Sequence, residues 1–249
     1  SLEDFLTDES VERMTEAVIE EAAETLGLAD ADDTGVNEKK LGDSRVAALK
    51  DMAKESLTEQ FRKDGELRDT AERVRQKRRE GATRSDRIIE RFERGEPNDY
   101  LDGISLERYG NSVIIPAEYG TIYPDGKRYP VVVGPYGEVK RINKQLGLPN
   151  TQAHHVAQNA IYGKTVPKQQ GVAVSLRGNA FTEFQSPHNN AHRFGETKID
   201  TYREGGTVPT NKRMYEILSG ELQAAGLNNN VIDFIMYEVI QQHMEYGIL

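Results

Sequence analysis

The chain of 249 residues contains no cysteine. Disulfide bonds and thiolate metal ligands are therefore excluded, and any metal site has to use histidine, carboxylate or amide groups. No apolar run approaches the roughly 18–20 residues that are needed to span a bilayer. The first residues, SLEDFLTDES, are acidic and lack the basic-then-apolar order of a signal peptide. We therefore expect neither a membrane span nor a classical signal peptide.

The net charge of −9 is concentrated in the N-terminal part of the chain. Residues 1–100 contain 27 acidic and 18 basic side chains, whereas residues 101–249 contain 14 of each. The low isoelectric point therefore describes the N-terminal part, and it is weak evidence against a nucleic-acid site in the C-terminal part.

Apolar residues recur at spacings of three and four in residues 11–26, 46–57 and 67–74, and apolar residues follow again at 88–92. This period is typical of amphipathic helices. The sequence thus predicts a helical N-terminal region over residues 1–98.

Short β-branched runs separated by turn residues mark residues 99–142, which we expect to form a short β segment or linker. Asp125-Gly126 and Pro135–Gly137 are predicted hairpin turns. Further along, GVAVSL (171–176) alternates apolar and polar residues, as a half-buried strand does, and AFTEFQ (180–185) is another candidate strand.

Three helices are predicted after these strands. The stretch SPHNNAHRF opens with Ser186 as a cap and Pro187 at the first helical position. Thr210 caps the next helix, and Asn229 or Asn230 caps the last one. The expected fold class is therefore α+β, with a helical N-terminal region and helices at the C-terminus.

Four of the five histidines lie within 39 residues, at His154, His155, His188 and His192. The last two are four residues apart at the start of a predicted helix, so both side chains project from one helix face. Neutral imidazoles on one face are suited to bind a divalent ion. Each pair is a weak signal alone, but an adjacent pair, a loop asparagine and a capped helix with the second pair, in this order, form a more specific one.

This arrangement resembles the HNH endonuclease superfamily, whose core is the ββα-metal finger. The motifs that carry the resemblance are QAHH, then GN, then SPHNNAH. The Ala-His-His opening is most similar to the AHH-type nucleases found at the C-termini of bacterial polymorphic and secreted toxins. The nine-residue step from Asn179 to His188 is similar to that of the DNase colicins. The resemblance covers about residues 143–200, does not extend to residues 1–110, and leaves open whether GVAVSL or AFTEFQ is the second strand of the finger.

The resemblance implies that His154, His188 and His192 are metal ligands and that His155 is the general base. Asn179 would orient the His155 ring or hold the loop. The reverse assignment, with His155 as ligand and His154 as base, stays open at this point.

Elementary chemistry agrees with such a site. Hydrolysis of a phosphodiester needs an activated water, and a neutral imidazole has a pKa suited to accept its proton near neutral pH. A divalent cation stabilises the negative charge that develops on the phosphate. Three imidazoles favour one Zn²⁺, Ni²⁺, Co²⁺ or Mn²⁺ ion over Mg²⁺. Arg193, directly after a predicted ligand, is the preferred candidate to contact the scissile phosphate. Asn190 is an alternative to Asn179 as the functional asparagine.

The expected function is a metal-dependent endonuclease with its HNH-like domain over residues 143–249, a DNase that acts as a toxin effector. Its expected partners are nucleic acid, DNA rather than RNA, together with a cognate immunity protein and a secretion machinery reached through residues 1–98. That region would serve delivery, adaptor or regulatory purposes, and the enzyme would act in a cytoplasm. Two alternatives stay open: a non-catalytic binding module with a structural zinc, and an RNA-directed or phage HNH nuclease.

Overall fold

The computed structural model describes residues 83–206 and 209–249. The elements in chain order are α1 (Arg84–Glu93), β1 (Glu107–Tyr109), β2 (Ser112–Ile115), a 3-10 turn (Ala117–Tyr119), β3 (Val131–Pro135), α2 (Tyr136–Gln145), β4 (Thr151–His155), α3 (Asn159–Tyr162), β5 (Val172–Arg177), α4 (Pro187–Glu204), α5 (Asn211–Ala224) and α6 (Asn229–Glu245). The helices predicted over 11–26, 46–57 and 67–74 lie outside the described residues. The apolar residues at 88–92 fall within α1.

The five strands form one antiparallel sheet in the order β1-β2-β3-β5-β4. The structure is thus a mixed helix and strand fold with a small antiparallel sheet, in agreement with the expected α+β class. Strands from the 99–142 segment and from residues 143–249 share this sheet. GVAVSL forms β5, between β3 and β4, and its side chains are buried on both faces rather than on one.

Each face of the sheet is covered by helices. On one face, α2 packs through a small apolar cluster of Val132, Tyr136, Val139, Ile142 and Ala173. On the other face lies the main core, to which α1, α4, α5, α6 and the opposite side chains of the strands contribute. None of the helices in the described ranges is long and apolar enough to cross a membrane.

Two predicted turns have different outcomes. The Asp125-Gly126 turn is confirmed, because the Gly126 N–H donates to the Tyr123 carbonyl and Ile122 pairs with Arg128 across it. The Pro135–Gly137 turn is wrong, because β3 runs directly into α2 there. Tyr136 is buried at the start of that helix, and this burial against the sheet outweighs the turn preference of the flanking residues.

AFTEFQ, the other candidate strand, does not form a strand. The Asn179 side chain accepts hydrogen bonds from the N–H groups of Phe181 and Thr182, at 2.7 and 3.0 Å, and so bends this segment into turns. The second strand of the hairpin that carries the histidine pair is therefore β5.

The helix caps follow the prediction in two of three cases. Ser186 precedes α4 and accepts a hydrogen bond from the Asn189 N–H, and Thr210 caps α5. The cap of α6 is Asn228 instead of Asn229 or Asn230, because the Asn228 side chain accepts from the first free N–H groups of the helix.

Candidate metal site

Three imidazoles converge between strand β4 and helix α4. Their ring centroids lie 5.1 Å (His154–His188), 5.0 Å (His154–His192) and 4.9 Å (His188–His192) apart. Each ring offers one nitrogen, and these three nitrogens lie within 4.8 Å of one another. The convergence expected from the sequence is therefore found, and we call these residues the three-histidine cluster.

The loop between β5 and α4 places the helix that carries two of these histidines. Gly178 adopts a φ of +93°, and a Cβ atom there would lie 2.2 Å from the Ser186 side chain. A glycine is needed at this position for both reasons. Ser186 and Pro187 then start α4, so that His188 stands in its first turn and His192 one turn later.

The hydrogen bonds of His188 fix its tautomer. Its Nδ1 lies 2.9 Å from Gln152 Oε1 and 3.2 Å from the Gly178 carbonyl oxygen. Because both partners are acceptors, Nδ1 carries the proton, and the lone pair is on Nε2. A metal-ligating histidine commonly donates its other N–H to such an acceptor. His188 is therefore oriented as a ligand through Nε2.

His154 and His188 are suited to bind a cation because burial keeps them neutral. Burial lowers the pKa of His154 to about 4. Burial, and secondarily the electrostatic influence of the neighbouring His154, lower the pKa of His188 to about 3. His154 Nε2 makes no hydrogen bond with any described residue, which is unusual for a buried polar atom. Two neutral imidazoles that converge with a third histidine fit a divalent ion.

His155 does not join the three-histidine cluster. In the sheet register His154 lies opposite Val174, in the main core, whereas His155 lies opposite Ala173, in the small cluster under α2. The His155 ring stacks on Tyr136 at a centroid distance of 3.9 Å. Adjacent strand residues point to opposite faces, and the pair follows that rule. Of the two assignments left open within the pair, the geometry favours His154 as the ligand.

A hydrogen bond at Nε2 defines the tautomer of the His155 ring. Its Nε2 lies 2.8 Å from the Lys168 carbonyl oxygen, so Nε2–H is the donor. In the neutral ring the lone pair is then on Nδ1. This is the tautomer that a general base acting through Nδ1 needs, although the ring is on the face of the sheet away from the three-histidine cluster.

Asn179 holds the loop. Its Oδ1 accepts the two N–H groups described above, and within the described residues none of its hydrogen bonds reaches His155. Of the two roles implied by the resemblance, the structure shows the contacts of loop support. Asn190, the alternative, is half-buried on α4 and donates to the Gln185 carbonyl oxygen.

Arg193 follows His192 on α4, and its side chain contacts Phe184 and Asn189. Its guanidinium is 4.3 Å from the centre of the exposed Phe184 ring and 3.4 Å from Asn189 Oδ1. Burial lowers the pKa of Arg193. The structure thus shows a packing role for this side chain, and its contact with a phosphate stays a prediction.

Two residues near the cluster were not found from the sequence. Gln152, the acceptor for His188, stands two residues before His154 on β4, so strand alternation offered a signal for it. Glu221 on α5 places its Oε2 3.7 Å from His154 Nε2. No local pattern connects α5 with the histidines, and only the tertiary packing of α5 against α4 brings them together.

The buried histidines give an expected pH dependence of stability. An unfolded histidine has a pKa of about 6.5, so between that value and the lowered folded values the unfolded chain binds protons that the folded chain does not. The free energy of unfolding should therefore be highest above about pH 6.5 and fall as the pH drops toward 5. His243 contributes in the same direction, since burial lowers its pKa to about 4.

Urea denaturation in EDTA between about pH 7 and pH 5 measures this dependence, in a range where most carboxylates stay ionised. His243→Gln serves as a comparison, because it removes one titrating group outside the cluster and should reduce the slope. A free energy of unfolding that is constant over this range would contradict the expectation.

Comparisons of this chain with protein-family models, with curated proteins and with solved structures find no match. The three-histidine cluster and its setting on a hairpin and a helix are therefore the observations on which a function has to be argued.

Proposed function

We propose that the chain is a metal-dependent endonuclease that hydrolyses phosphodiester bonds with one divalent ion. The observation that carries this proposal is the convergence of His154, His188 and His192 from one strand of a β-hairpin and the first two turns of the following helix. A ββα-metal finger has the same order of elements. The histidines of the two sequence motifs, QAHH and SPHNNAH, that were predicted to bind metal lie close together here.

The three histidines would hold the ion, and three protein ligands leave further positions for phosphate and water. When bound, the ion would stabilise negative charge on the phosphate and the leaving oxygen. All-imidazole coordination favours Zn²⁺, Ni²⁺, Co²⁺ or Mn²⁺ over Mg²⁺. The chain itself contributes the orientation of the rings, which Gln152 and the Gly178 carbonyl provide for His188.

His155 is the proposed general base. It ends β4, the edge strand of the sheet, and follows His154 directly. Consecutive Cα atoms are about 3.8 Å apart, so the proposed base and the proposed ligand are neighbours along this edge, on its two faces. Because Nε2–H donates to the Lys168 carbonyl, the lone pair of the neutral ring is on Nδ1, the atom that would accept a proton from water.

The biological setting is proposed from the resemblance alone. The chain would act on DNA in preference to RNA, as a toxin effector in a target cytoplasm. An immunity protein would be its inhibitor, and residues 1–98 would be the delivery or adaptor region that engages a secretion machinery. The balanced charge of residues 101–249 favours moderate, salt-sensitive binding of nucleic acid over tight non-specific binding.

A specific observation favours a second candidate, a non-catalytic module with a structural zinc. The His155 ring lies outside the three-histidine cluster and is held between Tyr136 and Lys168. In this alternative, the cluster only stabilises the fold, and the ring of His155 has a packing role.

Incubation of the full chain with supercoiled plasmid and with total RNA separates the two candidates. We expect plasmid cleavage that EDTA abolishes and that Zn²⁺, Ni²⁺, Co²⁺ or Mn²⁺ restores, and no cleavage by the His188→Ala variant prepared in parallel. If the chain binds zinc but cuts neither substrate with any of these ions, the result would contradict the nuclease and favour the non-catalytic module with a structural zinc. Preferential cleavage of RNA would contradict the proposed preference for DNA but support the proposed nuclease activity.

A further inference from the structure

A buried carboxylate lies beside the three-histidine cluster. Glu221 on α5 is only 1% exposed, and its Oε2 is 3.7 Å from His154 Nε2. Its other oxygen, Oε1, accepts a hydrogen bond from Gln158 Nε2 at 3.2 Å. The carboxylate is thus held in place from a second side, and it is not one of the three groups that converge.

Helix α4 leaves room for this carboxylate. A Cβ atom on Gly195 would lie 1.8 Å from Glu221 Oε1, so no other residue fits there without moving the carboxylate. Gly195 follows His188 and His192 at helical spacings of seven and three residues, which places all three on one side of α4. The helix side that carries two cluster histidines therefore also accommodates the carboxylate.

Glu221 approaches the cluster at His154, where its Oε2 faces Nε2 across 3.7 Å. Metal-ligating histidines commonly donate their other N–H to a carboxylate, a carbonyl or water, and His188 already has such acceptors.

We propose that Glu221 is a positioning residue of the metal centre: when an ion is bound, its Oε2 would close the 3.7 Å gap, accept a hydrogen bond from His154 Nε2–H and so direct His154 Nδ1 at the ion. The inference rests on the proposed metal site, but not on nuclease activity. In this proposal a side chain of α5, which carries none of the three proposed ligands, contributes to the affinity of the site for metal.

Calorimetric titration of Zn²⁺ into the metal-free full chain tests this inference with four proteins: wild type, E221A, E221Q and E216Q. We expect E221A to weaken zinc binding by about 10–100-fold, the usual effect of losing such a partner. E221Q keeps the shape and an acceptor oxygen, so its affinity should lie between those of E221A and wild type. E216Q removes another carboxylate of α5, one that pairs with Arg213, and should leave the affinity unchanged.

The melting temperature in EDTA is measured for each protein, so that a loss of fold is recognised separately. If E221A does not fold, E221Q carries the test, and Gly195→Ala displaces the carboxylate without removing it. Wild-type affinity in folded E221A or E221Q would overturn the role of Glu221 while leaving the metal site intact. Equal losses in E221Q and E221A would identify a direct ligand and also overturn a positioning role, whereas wild type that binds no metal would overturn the site itself.

Discussion

Replacing His188 or His192 by alanine is expected to weaken metal binding by more than about 100-fold, since the loss of an outer partner alone costs about 10–100-fold. Each change removes one of three converging nitrogens, and two imidazoles cannot enclose an ion as three do. Nuclease activity should fall with the metal affinity. Calorimetric titration of Zn²⁺ or Co²⁺ into each variant measures the effect.

Asn190→Ala is the matched control for these variants. Asn190 lies on the same helix between the two histidines, is half-buried and takes no part in the cluster. It should bind metal as the wild type does. Wild-type affinity in the His188→Ala and His192→Ala variants, in protein that is shown to be folded, would rule out the cluster as the metal site.

Replacing His155 by alanine is expected to separate metal binding from chemistry. The ring lies outside the cluster, so the variant should bind metal with near wild-type affinity. If Nδ1 is the base, cleavage should slow by about 10²–10⁴-fold, the usual contribution of a positioned general base. Single-turnover cleavage of plasmid at saturating metal, beside calorimetry of the same preparation, measures the two quantities independently.

His154→Ala is the partner variant, because it changes the neighbouring residue on the other face of β4. It should lose the metal that His155→Ala retains. The opposite result would reverse the assignment within the histidine pair. Wild-type cleavage by the His155→Ala variant would exclude the general base, and the contact with Tyr136 would then explain the residue as packing.

The parts of the fold that depend on local chemistry were predictable from the sequence. Ser186 and Pro187 start α4 as expected because capping and the fixed φ of proline act within one turn. The spacing of His188 and His192 predicted that both lie on one helix face, and the resemblance to the ββα-metal finger implied their convergence with His154. The sequence predicted a turn and no helix where α2 lies (Tyr136–Gln145), because the burial of Tyr136 against the sheet is a tertiary effect.

The limits of prediction at the site are also physical. Strand alternation places His154 and His155 on opposite faces, and this consequence was available from the sequence once a strand was assigned. Glu221 was not, because its distance from His154 depends on how α5 packs on α4 beside Gly195. AFTEFQ was ambiguous because the Asn179 side chain competes with strand pairing for the backbone.

The most direct test of the metal centre is a crystal structure of the full chain grown with Zn²⁺, with anomalous diffraction recorded at the zinc absorption edge. We expect one strong anomalous peak in contact with nitrogens of His154, His188 and His192. A map without a peak at the three-histidine cluster, or with zinc bound at His155 or His243 instead, would contradict it.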